Sequence, residues 1–171
     1  EHKTENLKGL FLPYWLFDAK TNSRLTYSAT RKFTWRSGDY LYTKTSYYQL
    51  NRAAKAEFVG IPMDGSTKME DAIMESIEPF NISEAVDFQT AYLSGFLADK
   101  YDVTAEESIE RANERVKNST IEAFNDTTDR YTAVIPDSSR VGFSNGKIRY
   151  SLLPVWMLNI KYNDKYTIYS K

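Results

Sequence analysis

Cysteine is absent from this sequence of 171 residues, and histidine occurs once, as His2. Without Cys, disulfides, thiolate metal sites, iron–sulfur clusters and cysteine nucleophiles are excluded from this stretch of chain. His2 lies in a polar leader, Glu1 to Asn6, of the kind that frays. A His-based metal site, a Ser-His-Asp triad or a histidine general base is therefore not expected, which removes most common hydrolase designs. No apolar run approaches the ~20 residues that a membrane-spanning helix needs, and the first residues lack the apolar core of a signal peptide. The expectation is a cytoplasmic, soluble stretch that makes no membrane contact of its own. It opens on Glu1 without an initiator Met and stops at Lys171 after a strand-like run, so it reads as cut from a longer protein.

What is present is ordinary globular composition, 42% hydrophobic and 26% charged, with a high aromatic share of 15% that includes thirteen Tyr and points to β-sheet. The length suits a single domain that buries roughly 70% of the surface of its unfolded form. Charge is segregated along the chain. The net charge is +1 over 1–28, +4 over 29–57, −10 over 58–128 and +4 over 129–171, for a total of −1. Basic flanks enclose an acidic middle, read either as attraction within one domain or as two faces of opposite sign for partners.

The first segment predicts strands, Leu10 to Asp18 and Arg24 to Trp35, joined by a polar turn at Lys20-Thr21-Asn22-Ser23. A second turn is expected at Ser37-Gly38. Beyond it Tyr40, Tyr42, Lys44, Ser46, Tyr48, Leu50 and Arg52 share one parity, as on one face of a long strand, while Leu41 and Tyr47 fall on the other. Thr67 to Glu70 has capping-box spacing and predicts a helix that Pro79 ends. A shorter apolar helix is expected over Ala91 to Tyr101. A clearer capping box, Thr104 to Glu107, opens an amphipathic helix with Ile109, Ala112, Val116, Thr120, Ala123 and Phe124 on its apolar side. Glu106, Glu107 and Glu110 suit the positive end of its dipole. Strands return at Tyr131 to Ile135 and Arg140 to Phe143, with hairpin turns expected at Ser144-Asn145-Gly146 and Asn163-Asp164.

The chain also carries an internal repeat. Leu12 to Thr26 aligns without a gap on Leu153 to Thr167, matching Leu, Pro, Trp, Lys, Asn and Thr at 12/153, 13/154, 15/156, 20/161, 22/163 and 26/167. Proline cannot donate to a ladder, so each Leu-Pro-X-Trp run should begin a strand or lie at an edge or bulge. The reading is an α+β fold: an antiparallel sheet from duplicated N- and C-terminal strand units, about 10–60 and 131–171. A helical insert of three helices, about 67–128, covers one face.

Several runs carry a resemblance: Leu12-Pro-Tyr-Trp-Leu-Phe-Asp, Trp35-Arg-Ser-Gly-Asp-Tyr, Pro62-Met-Asp-Gly-Ser, Ala98-Asp-Lys-Tyr-Asp-Val and Leu153-Pro-Val-Trp-Met-Leu. Together they resemble the body of a bacterial family of uncharacterised proteins described by an N-terminal zinc ribbon. The resemblance implies a conserved body downstream of that ribbon, with zinc expected only upstream and no cofactor in this stretch. It also implies that a full-length protein can continue into an apolar tail that tethers it to the cytoplasmic face of a membrane. It brings no catalytic residues.

Among candidate sites, Arg31-Lys32-Phe33-Thr34-Trp35-Arg36 followed by Tyr40, Tyr42, Lys44, Tyr47 and Tyr48 interleaves aromatics with bases. Single-strand nucleic-acid platforms do the same, stacking bases on rings while cations follow phosphates. Arg31, Trp35, Arg36, Tyr40 and Tyr42 are its candidate contact residues. Against that reading stands a sequence pI near 6.0, and Tyr and Thr are good strand formers in any case. Asp99, Asp102, Glu106 and Glu107 gather carboxylates at one turn, although the spacing is not that of an EF-hand and capping already explains Glu107. Gly60 to Ser66 invites a phosphate-loop reading but lacks the Gly-Lys-Ser/Thr ending, so a turn into a helix cap is expected. Asn81, Asn118 and Asn125 head glycosylation-like triplets to which no role is assigned. Trp15, Trp156, Phe11 and the Leu-Pro pairs are expected in the core, with an exposed aromatic groove at a sheet edge as the other reading.

The functional expectation is a non-enzymatic interaction or scaffold module with a protein partner, docked on a sheet edge or on the acidic helical face. The alternative is a single-stranded nucleic-acid-binding module using strands 31–48. An enzyme is the weakest reading, since the usual nucleophile and base types are missing.

Overall fold

Three long strands dominate the computed structural model, which describes the backbone over residues 3–68, Met74, 80–162 and 165–170, with side chains over 8–68, Met74 and 80–157. Strand β1 (Lys3–Ser37), β2 (Tyr40–Asp64) and β4 (Ala133–Tyr162) are joined by the two-residue β3 (Leu97–Ala98) and by β5 (Lys165–Ser170). The order across the sheet is β2-β1-β4-β5, with β3 beside β1. The single long helix among the described residues is α1 (Ala105–Asn125). The fold is therefore α+β, but the sheet is mixed rather than purely antiparallel. Leu10 and Phe11 pair in parallel with Leu97 and Ala98, whereas β4 and β5 pair antiparallel from Met157↔Ser170 to Tyr162↔Lys165.

Two turns expected from composition do not form. Lys20 to Ser23 runs straight through β1, with Thr21 and Ser23 turned inward and buried. Ser144-Asn145-Gly146 likewise continues β4. An Asn-Gly hairpin needs a left-handed glycine, and Gly146 is not among the glycines of positive φ. Gly146 is needed instead for close approach, since a Cβ there would meet Asp18 Cβ at 3.0 Å and the Asp18 carbonyl oxygen at 3.1 Å. The turn after Ser37 does form, at Gly38-Asp39, with Gly38 at φ 60°. The turn expected at Asn163-Asp164 lies outside the described residues, between the paired ends of β4 and β5.

The helical insert is also shorter than expected. Ala91 to Tyr101 is not a helix but a 3-10 turn, Thr90–Leu93, followed by β3. Gly95, at φ 85°, breaks the chain direction there, and Phe96 is drawn onto Phe11 at a ring separation of 5.3 Å. The helix expected from Thr67 to Pro79 falls largely outside the described residues, within which Met74 is helical. The capping box of α1 forms as expected. The Thr104 amide donates to Glu107 Oε2 at 2.7 Å and the Glu107 amide to Thr104 Oγ1 at 3.3 Å. Ser108, Ala112, Val116, Thr120 and Phe124 form its buried stripe at four-residue steps, while Ala123 is exposed.

The chain divides into two compact units. The first comprises Glu1–Phe17, Val59–Ala112 and Lys147–Lys171. Here both sides of β1 are covered, by Leu12 and Tyr14 with Met74 and Val155, and by Trp15 and Phe17 with Met63, Ile109 and Ala112. The repeat pairs Leu12/Leu153 and Tyr14/Val155 share one cluster. Trp15 packs as expected, donating its Nε1–H to the Val103 carbonyl at 2.9 Å. Trp156 does not enter the core and keeps half of its surface exposed beside Phe96.

The second unit comprises Asp18–Phe58 and Asn113–Gly146. Odd positions of β1 from Ala19 to Ala29 are all buried. Leu25, Tyr27 and Ala29, with Leu50, pack against Phe124 and Ile121 of the helix. The Lys20–Glu57 ion pair at 3.2 Å and the Thr34–Thr43 hydroxyl contact at 3.1 Å fit one unslipped β1–β2 register set by the turn at Gly38-Asp39.

Candidate functional site

The second unit sends out a ribbon. The chain entering β4 meets β1 at its base, where the Thr132 amide donates to the Thr30 carbonyl at 2.8 Å and the Lys32 amide to Thr132 Oγ1 at 2.9 Å. Past Lys32 the described contacts are those of β1 with β2 alone, and every residue from Arg31 to Lys44 is exposed. Isolated two-stranded ribbons are marginal in water, so this one depends on its cross-strand pairs. Trp35 stacks on Tyr42 with ring centroids 5.5 Å apart and planes 15° from parallel. Phe33 extends the stack at 5.8 Å and 28°, and Tyr40 leans on Tyr42 at 6.4 Å.

Strand parity relates this ladder to the core. Leu25, Tyr27 and Ala29 share a face of β1 with Phe33 and Trp35, and Leu50 shares a face of β2 with Tyr40 and Tyr42. The face buried under α1 at its base thus runs on, uncovered, as the aromatic ladder. The helix ends where the change occurs, at Asn125, whose Oδ1 accepts from the Tyr27 hydroxyl at 3.0 Å. Burial raises the Tyr27 phenol pKa against the lowering charge of Arg52. At the boundary Tyr48 meets Tyr131 edge-on at 5.3 Å, and the Arg130 guanidinium lies 5.2 Å over the Tyr131 ring. Phe33, Trp35, Tyr40 and Tyr42 keep 66%, 42%, 72% and 45% of their surface exposed.

The five residues singled out from the sequence all lie on this ribbon. Trp35, Tyr40 and Tyr42 come together, with Arg31 on the same face by parity. Arg36 alternates to the opposite face, where its Nε donates to the Gly38 carbonyl at 3.3 Å. The sequence reading left Phe33 and Lys44 outside its contact set, although both lie in the run of interleaved aromatics and bases that it singled out. Tyr131 and Arg130 carry no local signal and arrive only through tertiary pairing. On the other face of the sheet, a shallow concavity of about 460 Å³ is lined by Ser28, Thr30, Tyr47, Gln49, Ala133 and Ile135, among others. Its polar lining is hydroxyls and one amide, from Ser28, Thr30, Tyr47, Tyr48 and Gln49.

The carboxylate cluster of the first unit is engaged elsewhere. Asp102 caps Thr67, accepting from its amide at 2.7 Å and its hydroxyl at 2.9 Å, and these bonds hold its pKa below the ordinary value. Burial pushes the Asp99 carboxyl up, but hydrogen bonds from Lys68, Ser66 and the Lys100 amide outweigh it and leave the pKa lowered. The same Asp99 contact raises Lys68. Glu107 is lowered by its two bonds to Thr104. Among the described residues no group of three or more His, Cys, Asp or Glu side chains is placed to hold a metal ion. Gly60 to Asp64 stays within β2, and only Gly65 and Ser66 leave it. The backbone of Gly65 is taken up by Pro13, Asp102 and Val103 at 2.9, 2.9 and 3.1 Å, so it forms no phosphate cradle. No helix among the described residues is long and apolar enough to cross a membrane.

Among proteins of known sequence, the chain is similar to the uncharacterized protein YdjG of Bacillus subtilis (strain 168), at 34% identity over 160 residues. The match covers 94% of this chain and 47% of that protein, so the chain spans about half the length of the curated relative it matches. No family model matches, and no solved structure matches.

Proposed function

We propose that this chain is a non-enzymatic interaction module and that the β1–β2 ribbon is its contact element. The observation that carries the reading is the continuation of a core face into an uncovered aromatic ladder. Apolar rings held in water on a projecting ribbon are the usual mark of an interaction site. The clustered carboxylates Asp99, Asp102 and Glu107 are committed to caps and an ion pair, which supports the same reading. In a longer protein of the kind the sequence resembles, such a module would sit downstream of a zinc ribbon and bring a second component to it.

Single-strand nucleic-acid binding is the second reading, favoured by Arg31 and Lys44 on the ladder face. The ring geometry speaks against it. Base platforms offer free ring faces, whereas Trp35 is stacked between Phe33 and Tyr42, which leaves fewer faces open to a base. Fluorescence anisotropy of labelled single-stranded DNA and RNA separates the two. Tight, salt-sensitive binding lost in Trp35→Ala and Arg31→Ala would establish the nucleic-acid reading instead.

The contact reading itself is tested in the full-length protein in its host cells, with a benzophenone side chain placed at Tyr40 or at the exposed helix position Glu114. Crosslinks are expected at Tyr40 and not at Glu114. Equal yields at both positions would remove the ribbon as the contact element.

A further inference from the structure

We infer that the aromatic face of the ribbon docks on the headgroup layer of an anionic membrane. The inference rests on the ribbon being a contact element and names what it contacts.

The side-chain chemistry is that of a membrane interface. Trp and Tyr pair an apolar body with one polar handle and settle at the headgroup level, where one end is dry and the other wet. Trp35, Tyr40 and Tyr42 stand together with Phe33 on one face. Among the described residues, the Trp35 indole N–H and the Tyr40 and Tyr42 hydroxyls make no protein hydrogen bond. They are therefore available to phosphate and carbonyl oxygens of lipid. Leu41, 72% exposed, flanks the turn on the opposite side. Phe33, Trp35 and Tyr42 stack in a row and form a narrow apolar ridge. Such a ridge suits insertion between headgroups.

Charge complementarity selects an anionic surface. Over residues 31–44 there are four cations, Arg31, Lys32, Arg36 and Lys44, against one anion, Asp39. Arg31 and Lys44 stand at the base of the ladder on its own face, where long side chains can lie along the apolar ridge and keep their heads in the phosphate layer. The whole second unit carries 12 Lys and Arg against 8 Asp and Glu, a net +4, although the full chain is at −1. A search for apolar runs cannot reveal such a site, because it tests for spans and this surface uses alternate residues of two strands.

The test is sedimentation of the 171-residue chain with vesicles of phosphatidylcholine alone, and of phosphatidylcholine and phosphatidylglycerol in equal parts. Association is expected with the anionic vesicles only, weakening as salt is raised. It should fall by roughly thirtyfold or more in Arg31→Glu/Lys44→Glu, whose exposed sites leave the core untouched. Phosphatidylglycerol with brominated acyl chains should quench tryptophan emission, and Trp35→Phe, which keeps the ridge, should abolish that quenching. Failure to sediment with anionic vesicles at low salt overturns the inference, as does sedimentation unchanged in both the charge variant and Trp35→Ala. Failure to sediment together with protein crosslinks at Tyr40 would leave the ribbon as a contact element and remove the lipid. Binding of single-stranded DNA in place of vesicles would remove it as well.

Discussion

Trp35 and Tyr42 lie on opposite strands of the ribbon with their ring planes 15° apart, the closest to parallel of the aromatic pairs described. Aromatic pairs contribute about 0.5–1.5 kcal/mol beyond area burial, which matters on a ribbon with no third strand. A double-mutant cycle of Trp35→Ala and Tyr42→Ala should therefore return a coupling of roughly that size. The readout is amide exchange across residues 33–44, where local opening is visible without global unfolding. A coupling near zero would mean that the rings are neighbours without mutual support.

Gly146 distinguishes a turn from a close approach. A methyl group there would meet Asp18 Cβ at 3.0 Å, whereas at Gly142 it would meet the Asn22 carbonyl oxygen at 3.4 Å, ordinary contact. Gly146→Ala should destabilise by about 1–3 kcal/mol as an overpacked site, and Gly142→Ala by much less. Urea midpoints of the two variants check this. Equal midpoints would show that β1 and β4 yield freely at Asp18.

Thr21 and Ser23 bury hydroxyls for which no hydrogen-bond partner exists among the described residues. An unsatisfied buried hydroxyl is costly, and replacing it by an apolar group of like shape removes the penalty. Thr21→Val and Ser23→Ala should each raise stability by about 1 kcal/mol. A loss of stability in urea titration would reveal a partner, an ordered water for example, that satisfies them.

Stability should fall at acid pH through Asp99, Asp102 and Glu107, all held below their ordinary values. A depressed carboxylate stabilises the fold above its unfolded pKa of about 4, and that contribution is lost as pH falls through the folded value. Lys68 is raised, so its contribution is complete below the ordinary lysine value and is lost only in strong alkali. Between these limits neither changes. Asp102→Asn should melt below the natural protein at neutral pH and converge on it in acid. A constant offset at all pH values would place the effect in lost packing.

Local signals were legible where short-range physics decides them. The capping box at Thr104 and Glu107 is closed within one turn of chain, and the Gly38 turn needs only a residue that accepts positive φ. The ladder was legible in part, since a two-residue period groups Tyr40 with Tyr42 and the run of interleaved aromatics and bases includes Trp35. That the period is also shared with the buried Leu25, Tyr27 and Leu50 becomes meaningful only once α1 is seen to cover one stretch and not the other. Arg36 was grouped with the ladder by proximity in sequence, and alternation separates it.

By itself the sequence determined the absence of thiol chemistry from these 171 residues, the strand-rich character, the long amphipathic helix and the hairpin at Gly38. Tertiary structure alone decided that Lys20 to Ser23 and Ser144 to Gly146 run straight, because pairing along β1 and β4 outweighs the weak local preference of polar and glycine residues for turns. It decided likewise that Leu97 and Ala98 form a strand beside β1, since only there do their backbone groups find partners. The exposure of the aromatic ladder has the same origin. A ring on a strand is core or contact surface according to what the rest of the chain lays over it, and no stretch of sequence near Trp35 carries that information.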